Sequence, residues 1–171
     1  RLIETIPNKF EVIVVDDGSP SKAQQAIMEI VKNTENIKQV RLETCRKRFS
    51  LARARNVGAK KATSPVVIFH DVDFIGTPEV YDRIFDLILG KDLANRPENF
   101  FCIPIGFLTS GGTKEYLEDF QATKNIDFWS YHISKPNNKK KLKYFVKGSS
   151  CIVMNRDDLL SIGGHDESYD G

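Results

Sequence analysis

The first ninety residues alternate between two hydrophobic patterns, and this alternation constrains the fold more than any other feature of the chain. Short β-branched apolar runs predict strands at residues 10–15 and 65–69, and the alternating residues 39–43 predict a more exposed strand between them. Apolar residues at helical spacing follow each run, and they predict helices that begin near Ser21, Ser50 and Thr77. The order β-α-β-α-β-α predicts an α/β fold, in which a mixed, mainly parallel sheet is flanked by helices.

Local signals refine these helices. Ser21 and Gln24 have the spacing of a capping box at the start of the first helix. Small residues such as Ala54 and Gly58 share one face of the second helix, so we expect this helix to lie close to the sheet. Gly90 predicts the end of the third helix.

Beyond residue 90 the pattern loosens. It predicts, in order, a strand at 100–108, a turn at 109–113, a loop-rich segment at 114–143, a strand at 144–154 that is interrupted near Gly148, and a short helix from the Asn155 cap to Gly163 and Gly164. Because no repeat or linker divides the chain, we expect a single domain over residues 1–171.

Composition narrows the class of protein. Hydrophobic residues make up 40% of the 171 residues and charged residues 28%, as in ordinary globular domains. The net charge of +2 gives no reason to expect a nucleic-acid partner, and no apolar run approaches the roughly 20 residues of a membrane helix. Cys102 and Cys151 lie in apolar segments, which favours buried, reduced thiols and a reducing compartment.

Two pairs of aspartates follow predicted strands. Asp16 and Asp17 end the first strand, and Asp71 and Asp73 end the third. Ligands of open α/β sheets bind beyond the carboxyl ends of the strands, so both pairs belong to one candidate rim. Four carboxylates repel each other unless a cation joins them, and Mg²⁺ or Mn²⁺ bridged to a diphosphate fits this requirement. Turn capping is the alternative, and it stays open above all for Asp16.

The phosphates of such a ligand need a binding device. Neither G-x-x-x-x-G-K-[ST] nor G-x-G-x-x-G occurs in the chain. Metal and side chains must therefore hold the phosphates in place of a glycine-rich loop.

Three sequence blocks, FEVIVVDDGS at 10–19, LARARNVGAKKA at 51–62 and VVIFHDVDF at 66–74, together resemble a family 2 glycosyltransferase with the GT-A fold. This fold is a Rossmann-like nucleotide-diphospho-sugar transferase domain. The closing KGSSCIVMNRDDLLSIGGHDES at 147–168 resembles the chondroitin-polymerase-like and galactosyltransferase-like branch.

The resemblance implies roles for the nucleotide side of the site. Asp17, with Asp16 beside it, would accept a hydrogen bond from the uracil N3–H of a UDP-sugar. Arg55 would lie near the nucleotide. In the D-x-D motif, Asp71 would face the ribose and sugar, and Asp73 would bind Mn²⁺ or Mg²⁺ directly.

The resemblance also implies roles near the transferred sugar. Gly148 would line the donor-sugar pocket, where a side chain would collide with substrate. The acceptor-side loop would contain Gly163, Gly164, Asp166 and Glu167. In this branch the catalytic base belongs to a W-G-x-E-D segment, which does not follow here, so the base is unknown. Asp166, Glu167 and Asp170 are the candidates within the chain.

The implied reaction is inverting transfer from a UDP-sugar to a saccharide acceptor, in surface polysaccharide synthesis. Such a protein is expected in the cytoplasm, and peripheral association with the inner face of the membrane stays open. Nothing before Phe10 supplies the family's first strand, so residues 1–171 are expected to be a fragment that lacks this strand and the C-terminal catalytic segment. We expect the fragment alone to be inactive.

Three alternatives remain. A nucleotidyltransferase would share the sheet and the acidic metal site, but its glycine-rich G-x-G-x-R-type loop is absent. A phosphatase of the haloacid dehalogenase class would need a threonine where Ile75 stands. A non-catalytic nucleotide-sugar-binding module fits the missing C-terminal carboxylates as well as an enzyme fragment does.

Overall fold

The structure is a computed structural model, and it describes residues 10–42, 49–72, 74, 76, 78–90, 93, 100–123, 142–146 and 151–168. The strands in these ranges are Val12–Asp16 (β1), Ile37–Arg41 (β2), Val66–His70 (β3), Phe100–Cys102 (β4), Ile105–Leu108 (β5), Leu142–Val146 (β6) and Cys151–Asn155 (β7). The helices are Ser21–Lys32 (α1), Leu51–Lys61 (α2), Pro78–Gly90 (α3), Ser110–Thr123 (α4) and Arg156–Ser161 (α5).

The predicted β-α-β-α-β-α order of the first ninety residues is confirmed. β1 and β2 pair in parallel, with Val12 opposite Ile37 and Asp16 opposite Arg41. A second sheet has the strand order β3-β7-β4, and β5 pairs with β6 in antiparallel register. The fold is therefore mixed α/β, as the sequence predicts.

The chain divides into two compact units. The first unit comprises residues 1–67, 88–100 and 154–171, and the second comprises residues 68–87 and 101–153. The chain passes from one to the other within β3, α3, β4 and β7. A single domain over residues 1–171 stays a prediction.

Helix α2 packs closely on β1 in the first unit. A Cβ built on Gly58 would lie 3.3 Å from Cγ2 of Val15, so the absence of a side chain permits this approach. Ala54 and Ala59 are buried on the same helix. Ser50 is the N-cap, and its side chain accepts a hydrogen bond from the Arg53 N–H. The close helix–strand contact that the small residues predict is confirmed.

Two local predictions are wrong at the starts of helices. The N-cap of α1 is Pro20, with no side-chain capping bond, because Ser21 is already helical and its hydroxyl is not at the cap position. Residues 110–113 belong to α4 rather than to a turn, although they include two glycines. Thr109 begins this helix by accepting the Gly112 N–H on Oγ1 at 3.1 Å.

Other predictions on the second half of the chain have mixed outcomes. The strand predicted at 100–108 is split into β4 and β5 around Ile103 and Pro104, and proline has no N–H to donate to a ladder. The segment predicted to be loop-rich contains most of α4 and the start of β6, and residues 124–141 lie outside the described ranges. The Asn155 cap is confirmed, since its Oδ1 accepts the Asp158 N–H at 3.0 Å.

Burial confirms part of the predicted core. Neither Cys102 nor Cys151 is disulfide-bonded, and Cys151 is buried. In α3, Ile84 is buried, whereas Val80 and Leu87 are exposed. Among the helices of the described ranges, none combines the length and apolar character needed to cross a membrane.

Candidate functional site

Asp16 stabilises the turn after β1. Its buried carboxylate accepts the Ser19 N–H at 2.8 Å on one oxygen, and on the other it binds Arg41 Nη1 at 2.5 Å and Gln39 Nε2 at 3.5 Å. Gly18 follows in the left-handed region, with a φ of +86°. Burial raises the pKa of Asp16, but the Ser19 hydrogen bonds and the Arg41 guanidinium outweigh it and lower the pKa below its ordinary value. These contacts are those of a turn-holding residue.

Asp17 connects the same turn to α2. Its Oδ2 accepts the Ser50 N–H at 2.9 Å, at the N-cap of the helix, and Ser50 is completely buried. Its Oδ1 is also buried and has no hydrogen-bond partner in the part of the chain that the structure describes. A buried carboxylate oxygen without a donor is costly. Asp17 therefore has one oxygen available for a donor from outside these residues.

Asn56, in the middle of α2, holds residues 163–168, which we call the GGHDES loop. Its Oδ1 accepts the His165 N–H at 2.7 Å, and its Nδ2 donates to the His165 carbonyl and to Glu167 Oε1, each at 2.9 Å. The side chain is buried. Sequence reasoning missed this residue. The available signal was an asparagine, a poor helix former, in the interior of a helix.

The two glycines of the loop differ in their surroundings. Gly163 and Gly164 both have positive φ, of +91° and +82°. A Cβ on Gly164 would lie 2.5 Å from Asn56 Oδ1, whereas a Cβ on Gly163 would meet nothing within 4 Å. Gly164 is therefore required for the contact with α2 for two reasons. Its backbone is left-handed, and a side chain there would collide with Asn56.

Titratable side chains lie within the loop, and Arg55 lies close to it. Asp166 is exposed, and its Oδ1 accepts the Ser168 N–H at 2.9 Å. The hydrogen bonds from Ser168 lower the pKa of Asp166. Burial, together with the positive charge of Arg55, lowers the pKa of His165. Arg55 is half-buried on α2, so the predicted nucleotide-side arginine also acts electrostatically on this loop.

In the second unit, the end of β3 is held by a chain of hydrogen bonds. A carbonyl can only accept, so His70 Nδ1 donates to the Asp71 carbonyl at 2.8 Å. In the neutral ring Nε2 is then the acceptor of the Tyr81 hydroxyl, at 2.7 Å. A Cβ on Gly76 would lie 2.5 Å from the Tyr81 ring. Burial raises the pKa of Tyr81 to about 12. These contacts give His70 a structural role, because it links the backbone after β3 to α3.

The D-x-D motif is described in part. Asp71 is half-buried directly after β3, and Val72 beside it is 99% exposed. Asp73 lies outside the described residues. No group of three or more His, Cys, Asp or Glu side chains within the described ranges is placed to hold a metal ion.

The structure brings most of the predicted site residues into the first unit, around α2; these are Asp16, Asp17, Arg55, Gly164, Asp166 and Glu167. Asp71 belongs to the second unit. Gly148 and Asp170, like Asp73, lie outside the described residues. A common site that contains both acidic pairs therefore stays a prediction.

Comparison with known proteins gives two findings. A family model described as "Glycosyltransferase like family 2" matches residues 3–171. The human protein polypeptide N-acetylgalactosaminyltransferase 15 is 37% identical over 73 residues, which cover 41% of this chain. The match covers 11% of that relative, so the chain corresponds to about a tenth of its length.

Proposed function

The chain belongs to the glycosyltransferase-like family 2, and we propose that it transfers a sugar from a UDP-sugar donor to a saccharide acceptor. The nucleotide binds at the turn after β1, and the acceptor binds beside the GGHDES loop. The proposed setting is surface polysaccharide synthesis in the cytoplasm, at or near the inner face of the membrane, in line with the branch that the closing segment resembles.

The observation that carries the proposal is the buried Oδ1 of Asp17, which lacks a donor among the described residues. Uracil has an N3–H that can donate to a carboxylate, and this hydrogen bond would satisfy the oxygen. Cytosine has an unprotonated N3 at the same place and would leave Oδ1 unsatisfied. The contact of Asp17 with Ser50 fixes the other oxygen, so the carboxylate is already oriented before the ligand arrives.

A divalent cation, Mn²⁺ or Mg²⁺, fits the D-x-D motif as its site. Carboxylate oxygens are the ligands that these hard cations prefer, and Asp71 is half-buried at the end of a strand beside a fully exposed Val72. Asp71 and Asp73 would hold the ion. When bound, it would neutralise negative charge on the diphosphate as UDP leaves.

The acceptor side is assigned to the GGHDES loop, which has two described carboxylates. A general base works best when its pKa lies near the working pH, and the pKa of Asp166 is lowered by Ser168. Asp166 is therefore the poorer candidate. Glu167 is half-buried and has one oxygen held by Asn56, so it is the better oriented carboxylate to take the acceptor hydroxyl proton. Attack by that hydroxyl on the anomeric carbon then gives inversion.

The name of the human relative suggests a second acceptor class. That protein is a polypeptide N-acetylgalactosaminyltransferase, and its match to this chain makes UDP-N-acetylgalactosamine one donor to test and a polypeptide one acceptor to test. A saccharide acceptor stays the proposal because the GGHDES loop is part of the segment that resembles the polysaccharide branch.

The test is a binding measurement with UDP, GDP and CMP, with and without Mn²⁺, followed by transfer assays across UDP-sugars. We expect UDP with Mn²⁺ to bind best, and Asp17→Asn to weaken UDP binding at least about tenfold, because the amide can place a donor against the uracil N3–H. Equal affinity for UDP and CMP, or unchanged UDP affinity in Asp17→Asn, would contradict the proposal. Specific UDP binding without sugar transfer would identify a non-catalytic binding module.

A further inference from the structure

We propose that Asn56 is a positioning residue for sugar transfer, which holds the GGHDES loop and the Glu167 carboxylate in place for the acceptor. The inference rests on the proposed function, since that function assigns this loop to the acceptor. Asn56 itself does not need to touch either substrate.

The first argument is chemical. Asn56 accepts one hydrogen bond and donates two, to a backbone N–H, a backbone carbonyl and a carboxylate. A carboxamide combines these acceptor and donor roles on one short, planar group. Aspartate at this position would lose both donors and would place a second negative charge beside Glu167. A leucine would lose all three hydrogen bonds and leave buried polar groups unsatisfied.

The second argument is the way the loop is attached. Its first half is tied to α5, because the Gly163 N–H donates to the Leu160 carbonyl at 3.1 Å and the Gly164 N–H to the Leu159 carbonyl at 2.9 Å. At His165 both the N–H and the carbonyl bind Asn56 instead. The position of the second half, which includes Glu167, is thus set by α2.

The third argument is the length of α2. At the N-cap of this helix, the Ser50 N–H donates a hydrogen bond to the Asp17 carboxylate. Six residues later, Asn56 binds the GGHDES loop. Six residues span about 9 Å of helix axis. One rigid helix of the first unit therefore fixes the distance between the carboxylate proposed to bind the base and the loop proposed to bind the acceptor.

The test compares Asn56→Asp with Arg156→Met in the protein at its full natural length. Arg156 also ties the C-terminal segment to α2, through Nε to the Ala59 carbonyl at 3.1 Å, and no contact described here joins it to the loop. Asn56→Asp loses two hydrogen bonds between α2 and the C-terminal segment, and Arg156→Met loses one, so Arg156→Met controls for a general loosening of that segment. The measurements are hydrogen exchange of residues 163–168, UDP affinity, and kcat and KM for the acceptor.

For Asn56→Asp we expect faster exchange in the loop and a fall of at least about tenfold in kcat/KM for the acceptor, with UDP affinity within about threefold of the wild type. Lower pH should narrow the difference in activity between the variant and the wild type at the same pH, because the introduced carboxyl group, once protonated, can donate one hydrogen bond again. Among the described residues, Glu167 contacts Asn56 directly, His165 contacts it through its backbone, and Arg55 precedes it on α2. Arg156→Met should show neither the selective acceptor defect nor the recovery.

Two results overturn the assignment. Unchanged loop exchange and acceptor kinetics in Asn56→Asp would show that the carboxamide does not position the loop. Equal losses of UDP affinity and of kcat/KM for the acceptor, matching those of Arg156→Met, would show that Asn56 only stabilises the fold. A wild-type protein that transfers sugar from no UDP-sugar would overturn the proposed function itself, and that failure is recognised before any variant is made.

Discussion

At the scale of single residues, the adjacent aspartates Asp16 and Asp17 have different surroundings although they are the same residue type. Asp16 is enclosed by donors from β2 and from its own turn, whereas Asp17 reaches α2 with one oxygen only. The pattern of strand and turn predicts that both lie at the end of β1. The register that places Arg41 opposite Asp16 is a tertiary property, so the sequence could not show which aspartate is neutralised.

This difference predicts the effect of Asp16→Asn. The substitution removes the ion pair between the fully buried Asp16 side chain and the partly exposed Arg41. We expect the free energy of unfolding to fall by about 1–2 kcal/mol. Asp17→Asn is the matched control, because its amide oxygen can still accept from Ser50, and its effect should stay below about 1 kcal/mol. Urea denaturation measures both, and equal losses would contradict the division of roles.

Glu11 provides a second prediction, for the pH dependence of stability. Its carboxylate accepts hydrogen bonds from the Thr63 N–H, the Thr63 hydroxyl, the Ser64 N–H and Lys38. Partial burial raises the pKa, but these donors outweigh it and lower the pKa from 4.5 to about 2. Because the folded-state value is the lower one, the stabilisation is complete above 4.5 and is lost as the pH falls toward about 2.

Glu11→Gln should therefore cost about 1–2 kcal/mol of unfolding free energy at neutral pH, after allowance for solvent screening. The gap between wild type and variant should narrow steadily below the ordinary pKa of 4.5. Denaturation at a series of pH values measures this gap. A constant difference across the series would show that the carboxylate charge is not what stabilises the contact.

At the scale of elements, hydrophobic period predicted the order of strands and helices because burial of one face decides that pattern. The small residues on one face of α2 predicted that this helix lies close to the sheet, and the structure shows the contact at β1. Two failures lie at helix starts, where one residue of register changes which side chain is the cap, and others lie in the second half of the chain, where one predicted strand is split into β4 and β5. At α4, the glycines suggested a turn, yet Thr109 begins a helix through them.

The approach of α2 to β1 predicts the effect of adding a side chain at Gly58. A Cβ there would lie 3.3 Å from Val15, and a valine adds two further methyl groups. We expect Gly58→Val to lower the free energy of unfolding by about 1–3 kcal/mol through overpacking. Gly111→Val in α4 is the matched control, since a Cβ there meets nothing within 4 Å. A similar result for both glycines would mean that helix propensity, rather than packing on β1, determines the outcome.

At the scale of the whole molecule, the family and the mixed α/β fold agree with what the sequence predicts. The contact between Asn56 and the GGHDES loop was not predictable, because 109 residues separate Asn56 from His165 and no local pattern encodes such a distance. Strand ends can be located from sequence, but the partners of a buried amide depend on how distant segments pack.

Removal of divalent ions tests the proposed cation at this scale. EDTA should abolish sugar transfer, and added Mn²⁺ should restore it, because the ion is proposed to stabilise the leaving diphosphate. Full transfer activity after exhaustive chelation would contradict the role of the D-x-D motif as a metal site.

The unequal surroundings of Gly163 and Gly164 have a consequence for directed evolution of this loop. Any residue at 164 would collide with the amide of Asn56, so a randomised library there would return almost entirely glycine. At 163 a side chain has open space, and the cost is the left-handed backbone alone, which asparagine and aspartate tolerate best. Because this loop is proposed to bind the acceptor, a search for new acceptor preferences should diversify position 163 and keep Gly164 unchanged.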